Sequence, residues 1–366
     1  MMGDMEAPAP YAPCRLCPRR CGVMRRTASA EPPGYCGEAA GLRLAGASIH
    51  RGEEPPITGR GGSGTIFVSG CNLGCGFCQN RQISLGLRGN PGAAAARRGA
   101  GPFKGLGRLV DTEELARICL TLQGRGAENI NIVTGSHAVP ALVDGIAAAR
   151  RGPASGEGRG GGPLSIPVLW NSSAYEVPET LELLSGAVEV FLPDLKTLDR
   201  SLSERYYNAP NYPETAAAAI GKMLELRRLR FEERAGSGEV MVSGVMVRHL
   251  VLPGHLDSTR KVLRWFAEHC AGRALLSLMF QYTDMAAARP ADFPAERTGP
   301  DRRISEAEYH TVLGWLREYG VEDGYCQEPP GSDPAADAEW LPDFERTNPF
   351  PSELSTPVWH WREGFV

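Results

Sequence analysis

From residue 111 onward the chain alternates between two periodicities. Residues 111–120, Asp-Thr-Glu-Glu-Leu-Ala-Arg-Ile-Cys-Leu, set an acidic first turn ahead of apolar positions at helical spacing. Residues 129–134, Asn-Ile-Asn-Ile-Val-Thr, alternate as a strand. The exchange then repeats: helix over 137–151, strand 167–170, helix 177–185, strand 188–192, helix 212–233, strand 240–252, helix 258–270, strand 274–282 and helix 305–319. Upstream, the short apolar run at 65–68 adds one strand, for six in all, and six strands separated by helices predict a parallel βα array. Eight units are needed to close a full barrel, so the predicted fold is α/β: an open, partial (βα)6 TIM-like barrel.

The flanks break this rhythm. Residues 1–60 form an N-terminal arm and a cysteine-rich segment, with residues 1–13 rich in Pro and Ala and without periodicity, as in a disordered arm. Residues 61–325 hold the barrel, interrupted by Gly/Ala/Arg-rich insertions at 86–107 and 152–162. Arg88, Arg97 and Arg98 of the first insertion, with Arg108 just beyond it, read as a solvated loop more readily than as a surface for an acidic partner. Residues 326–366 begin with a linker at 331–337 and then spread Trp340, Phe344, Phe350, Trp359, Trp361 and Phe365 among prolines. Too short for a core of its own, this tail is expected to pack on the barrel as an extended strap.

A net charge of −4 over 366 residues gives no electrostatic case for nucleic acid or an anionic membrane as the main partner. No apolar run reaches the roughly 18 residues of a membrane span, and Met1-Met-Gly-Asp-Met-Glu lacks the basic-then-apolar order of a signal peptide, so a soluble cytoplasmic protein is expected. Seven of the ten cysteines fall in the first 78 residues at metal-ligand spacings, which favours metal or cluster binding over disulfides. Cys119 and Cys270 read as small buried hydrophobes.

The chemistry centres on Cys71-Asn-Leu-Gly-Cys75-Gly-Phe-Cys78, directly after the first barrel strand, where parallel βα folds present function. Three soft thiolates at this spacing can wrap an iron–sulfur cube and leave one of four irons open for a substrate. Cys14, Cys17, Cys21 and Cys36 offer a second set of four thiols, suited either to tetrahedral zinc or to a second iron–sulfur cluster. Polar groups close the other strands. Thr134-Gly135-Ser136-His137 follows the second; Asn171, Ser172 and Ser173 follow the third, with hydroxyl and amide groups suited to a ribose; Asp194 and Lys196 follow the fourth. The competing readings are plain ones: a helix-terminal His137, a capping Ser173 and a surface ion pair. Arg248 and His249 interrupt an apolar strand, where a guanidinium is costly without an anion.

The cluster loop, with an aromatic before its last Cys, resembles that of radical S-adenosylmethionine enzymes. The surrounding phrases Cys14-Arg-Leu-Cys17-Pro-Arg-Arg-Cys21-Gly22, Gly34-Tyr-Cys36-Gly37, Gly52-Glu-Glu-Pro-Pro-Ile57, Asn171-Ser-Ser173, Leu192-Pro-Asp-Leu-Lys196 and Val247-Arg-His-Leu-Val-Leu-Pro253 look like the branch of pyruvate formate-lyase activating enzyme. The resemblance runs from residue 14 to about 282. It implies a [4Fe-4S] cluster on Cys71, Cys75 and Cys78, and S-adenosylmethionine beside Asp194, Lys196, Arg248 and Leu250. It puts Gln281 where some relatives have a His near the adenine, and Phe77 either stacked near the adenine or packed in the loop. Relatives carry Gly-Gly-Glu where this chain has Thr134-Gly135-Ser136, and backbone amides at a helix start there can serve the same end. The implied activity is reductive cleavage of S-adenosylmethionine to a 5′-deoxyadenosyl radical that takes hydrogen from a partner protein. A low-potential donor such as flavodoxin or ferredoxin would supply the electron, and a glycyl-radical enzyme is the expected partner. The alternatives are a small-molecule or other side-chain substrate, or a non-catalytic iron–sulfur or zinc redox sensor.

Overall fold

Seven parallel strands carry the cavity described below. The computed structural model describes residues 11–26, 34–84, 105–152, 162–285, 298–329, 341–350 and 353–366. Most of the expected N-terminal arm, most of both insertions with Arg88, Arg97 and Arg98, the linker at 331–337 and Trp340 lie outside the described residues.

Among the described residues the strands are β1 (Leu42–His50), β2 (Ser63–Val68), β3 (Arg108–Val110), β4 (Asn129–Val133), β5 (Val168–Ser172), β6 (Val190–Pro193), β7 (Arg230–Arg234), β8 (Gly238–Leu250), β9 (Leu275–Met279), β10 (Gly324–Cys326), β11 (Ser355–His360) and β12 (Gly364–Phe365). Their order is β10-β9-β8-β6-β5-β4-β2-β1-β11-β12, with β3 on β1 and β7 on β8. From β2 to β10 the neighbours on this path run parallel. The two ends of the sheet do not meet, so it is the open, partial barrel that the periodicity predicts.

Alternation along the strands divides the core. Val168, Trp170 and Phe191 belong to the main cluster shared with the surrounding helices, whereas Leu169, Val190 and Leu192 join Met241, Met246 and Ile57 in a second cluster. Ile57 comes from the short helix Pro55–Thr58, which plugs one side of the sheet. Cys119 and Cys270 are fully buried in the main cluster, as expected of small hydrophobes.

Three departures from the sequence pattern have physical causes. The helix expected over 212–233 ends at Leu226, because Arg227 turns to an extended conformation (φ −137°, ψ 133°) and Arg230–Arg234 pairs as β7 with the start of β8. Strand β8 serves two sheets: it is antiparallel to β7 up to Ser243, then parallel to β6 and β9 from Gly244 on. Gly244 (φ +131°) sits at the change of partner, where a Cβ would come within 2.8 Å of Leu229. Finally, β1 is an antiparallel strand that periodicity did not announce, and the C-terminal tail joins the sheet beside it as β11 rather than only crossing its surface.

Candidate active site at the carboxyl ends of the parallel strands

Strand β2 runs out at Val68 into Ser69, Gly70 and the thiol loop. Four polar contacts pin that loop: Gly74 and Gly76 donate their N–H groups to the carbonyls of Tyr207 and Tyr206 (3.1 and 2.9 Å), the Asn72 amide donates to the Tyr175 carbonyl (2.6 Å), and Arg19 donates to the Asn72 carbonyl (2.8 Å). Leu73 and Phe77 are buried. The Phe77 ring meets Tyr206, Tyr207 and Tyr282 edge-on at centroid distances of 6.1, 5.7 and 5.2 Å, so it is a packed loop aromatic that also borders the cavity.

Cys71, Cys75 and Cys78 line a cavity of about 340 Å3 together with Phe77, Thr134, Asn171, Ser172, Asp194, Lys196, Arg248, Leu250 and Gln281. These come from the loops or ends of β2, β4, β5, β6, β8 and β9, so the fold brings together every residue named from the sequence for the cluster loop and cofactor except Gly135 and Ser136. Gly135 lies behind the wall: a Cβ there would meet the Trp170 ring at 2.6 Å and Leu142 at 2.7 Å. Before it, Thr134 takes a left-handed φ of +64°, the kind of backbone strain that clusters at functional sites.

Several polar groups have internal duties. Ser136 and Ser172 donate their hydroxyls to Glu176 (both 2.8 Å), which also accepts from the Trp170 indole (2.6 Å). Burial pushes the Glu176 carboxyl above the ordinary range against these three donors. His137 is held behind the thiol loop, with Nε2 2.8 Å from the Ser69 carbonyl; burial, and then the Arg25 charge, depress it to about 3. Tyr212 fastens the ends of β5 and β6: its hydroxyl accepts from the Lys196 N–H (2.9 Å) and lies at donating distance from the Asp194 (2.6 Å) and Ser173 (2.9 Å) carbonyls.

The charges pair across the cavity. Lys196 Nζ lies 2.7 Å from Asp194 Oδ2, with both side chains about a quarter exposed. Burial opposes the lysine charge, but Asp194 outweighs it and holds its pKa well above the ordinary value. Arg248 faces two carboxylates: Glu53 at 2.6 Å and Glu54 in a still closer contact. The pair outweighs the burial that opposes the guanidinium, so Arg248 stays charged. These acids carried no assignment from the sequence, although Gly52-Glu-Glu-Pro-Pro is an unusual phrase; Asn131 steadies Glu53 through a 3.1 Å hydrogen bond. The Nε of Arg248 and the side-chain oxygen of Asn131 are buried without a protein partner. His50, Tyr207, Gln327 and Phe350 complete the walls.

The donor set fits a soft, thiophilic group. Burial pushes Cys71 up to about 11 and raises Cys75 further, so both thiols keep their protons until a metal displaces them. The Leu73 N–H donates to Cys71 Sγ at 3.3 Å, the type of contact that tunes cluster sulfurs.

A profile of the radical SAM superfamily matches residues 65–266, and the chain belongs to that superfamily. Its members use a [4Fe-4S] cluster and S-adenosylmethionine. Over 311 residues the chain is 26% identical to an uncharacterized protein of Methanocaldococcus jannaschii, covering 84% of this chain and 75% of the relative. Among solved structures it overlaps Streptococcus suis SuiB bound to the precursor peptide SuiA (TM-score 0.45, 11% identity, 70% of this chain, 46% of SuiB). It also overlaps a radical SAM methyltransferase from Sphaerobacter thermophilus (TM-score 0.40, 17% identity, 75% of this chain, 69% of that one). The chain thus spans about half the length of SuiB. No helix among the described residues is long and apolar enough to cross a membrane.

Proposed function

We propose that this chain is a radical S-adenosylmethionine enzyme of the activating type, which takes a hydrogen atom from a partner polypeptide. The observation that carries this reading is the convergence of three thiols, an Asp–Lys pair and a charged Arg with a free Nε on one cavity. Cys71, Cys75 and Cys78 would hold a [4Fe-4S] cluster. When the cluster is bound and reduced, it supplies one electron to S-adenosylmethionine, whose S–C5′ bond breaks to give methionine and a hydrogen-abstracting radical.

The chain's own residues bind and orient. Arg248 would offer its free donor to the cofactor's carboxylate, Asn171 and Asp194 would hydrogen-bond its ribose and amino groups, and Leu250 and Gln281 would face its adenine. Lys196 balances the negative charge of ligated thiolates. Phe77 and the three tyrosines around it keep water from the loop. A cavity of about 340 Å3 lies at the low end of small-ligand pockets, roughly 300–1,000 Å3, which supports a reading in which the cluster and S-adenosylmethionine leave no room for a second small substrate. The hydrogen donor therefore enters from outside, as an extended segment of another chain can. Flavodoxin or ferredoxin is the electron donor in this reading.

The test is anaerobic. Full-length protein reconstituted with iron and sulfide and reduced with dithionite should release 5′-deoxyadenosine from S-adenosylmethionine, and the variant carrying Cys71, Cys75 and Cys78→Ala should not. No release from the parent protein would leave the redox-sensor alternative in its place. For the partner, addition of a glycyl-radical protein should give a doublet in the electron resonance spectrum that collapses when its glycine is deuterated.

A further inference from the structure

The four N-terminal thiols lie outside that machinery. Cys14, Cys17, Cys21 and Cys36 surround one small cavity of about 10 Å3, with Arg20, Arg25 and His137 in its walls. Two turns bring them together. The first is closed by Arg20 N–H to the Cys17 carbonyl (2.9 Å) and Gly22 N–H to the Cys14 carbonyl (3.0 Å); the second by Gly37 N–H to the Gly34 carbonyl (2.9 Å). Tyr35 donates its N–H to Cys21 Sγ at 3.2 Å, matching the Leu73 contact to Cys71.

A second observation concerns charge. Arg25 is only 2% exposed, and among the described residues no carboxylate lies within ion-pair distance of it. It donates to the His137 carbonyl (2.7 Å) and the Ala39 carbonyl (2.5 Å), and its Nη1 lies 3.7 Å from Cys14 Sγ. An uncompensated buried cation costs several kcal/mol. Thiolate ligands beside it would supply the missing negative charge.

We propose that Cys14, Cys17, Cys21 and Cys36 hold a second iron–sulfur cluster, with Arg25 as its charge partner. Four soft thiols on two turns, one of them accepting a backbone N–H at its sulfur, match the ligand set and sulfur hydrogen bonding of an iron–sulfur core. Admitting that core requires the thiols to swing outward. Cys21 is exposed and Cys36 half-buried on separate turns, so the site opens to solvent on their side. The centre also abuts the loop of the first cluster: a Cβ on Gly70 would meet the Cys36 carbonyl at 3.3 Å and His137 Nε2 at 2.9 Å, and Arg19, between Cys17 and Cys21, bonds the Asn72 carbonyl.

The experiment leaves the N-terminal thiols intact and removes the others. Full-length protein with Cys71, Cys75 and Cys78→Ala, reconstituted anaerobically, should retain iron and acid-labile sulfide in equal amounts, at least ~2 of each per chain, with a charge-transfer band that bleaches on reduction. Adding Cys14→Ala and Cys17→Ala should abolish both. In the triple variant Arg25→Met should lower the midpoint potential of the remaining centre while Arg25→Lys preserves it, a shift that a merely structural role would not produce. One zinc per chain without sulfide, or no metal at all in a triple variant with normal circular dichroism, overturns the proposal. Because the triple variant cannot perform the proposed cleavage, this outcome is independent of the reading of the Cys71 loop.

Discussion

Replacing Arg248 by Met would strip the cation from two buried carboxylates. The side chains of Arg248, Glu53 and Glu54 are 8%, 13% and 10% exposed, so solvent screens the contact little. Breaking a buried pair by removing one partner costs about 3–5 kcal/mol. With m near ~3 kcal/mol/M, a loss of about 4 kcal/mol lowers the urea midpoint by about 1.3 M. The assay is urea unfolding of the anaerobic holoprotein followed by circular dichroism, for R248M and for R248M/E53Q/E54Q. The triple variant should recover most of the loss, because it no longer buries unpaired charge. The pH dependence has a definite sign. In the parent, burial would raise Glu54, but Arg248 outweighs it and holds the carboxyl below its ordinary value. Its stabilisation is therefore complete above the ordinary carboxylate range and is lost as pH falls through the depressed value. In R248M burial is opposed only by the Ser277 and backbone hydrogen bonds and raises Glu54, so the deficit against the parent should narrow as pH falls from 7 to 5. An R248M midpoint within about 0.3 M of the parent, or a triple variant no more stable than R248M, would refute the reasoning.

His249 is buried between the Leu195 carbonyl and Thr259, and burial depresses it to about 4. The unfolded chain thus binds a proton that the fold refuses, so stability should fall by up to about 3 kcal/mol between pH 6.5 and 4, and His249→Gln should flatten that slope in urea titrations. Gly70 has φ +87° and no room for a Cβ, which would come within 2.7 Å of Glu38. Gly70→Ala should therefore cost about 1–3 kcal/mol and lower iron retention at the Cys71 loop, read by metal analysis; unchanged iron content and midpoint would contradict this. Phe350 packs on His50 (centroids 5.0 Å) and Phe67 (5.8 Å) at the cavity wall, and Phe350→Ala should destabilise by about 3 kcal/mol and speed proteolysis of the tail; an unaltered cleavage rate would count against it.

Much of the site was legible because its chemistry is local. The thiols of Cys71, Cys75 and Cys78 stand within eight residues, and Asp194 and Lys196 are two apart, so spacing alone exposes them. Arg248 declared itself by interrupting an apolar strand. Its partners did not: Glu53 and Glu54 are 195 and 194 residues away, and only the folded sheet brings them to one guanidinium. Gly135 shows the converse, since adjacency to Thr134 says nothing about which side of the strand end it faces.

The alternation of apolar positions along the chain determined the parallel array and its failure to close, because each βα unit declares itself through its own periodicity. Local pattern does not determine which strands pair at the sheet edge. Strands β1 and β11 pair across more than 300 residues, and only the tertiary structure decided that residues 355–360 lie against 46–50. The same holds for the thiols. Spacing marked two groups of cysteines, but the three-dimensional packing set Cys36 beside Gly70 and Arg19 on Asn72, and so joined the N-terminal turns to the loop after β2.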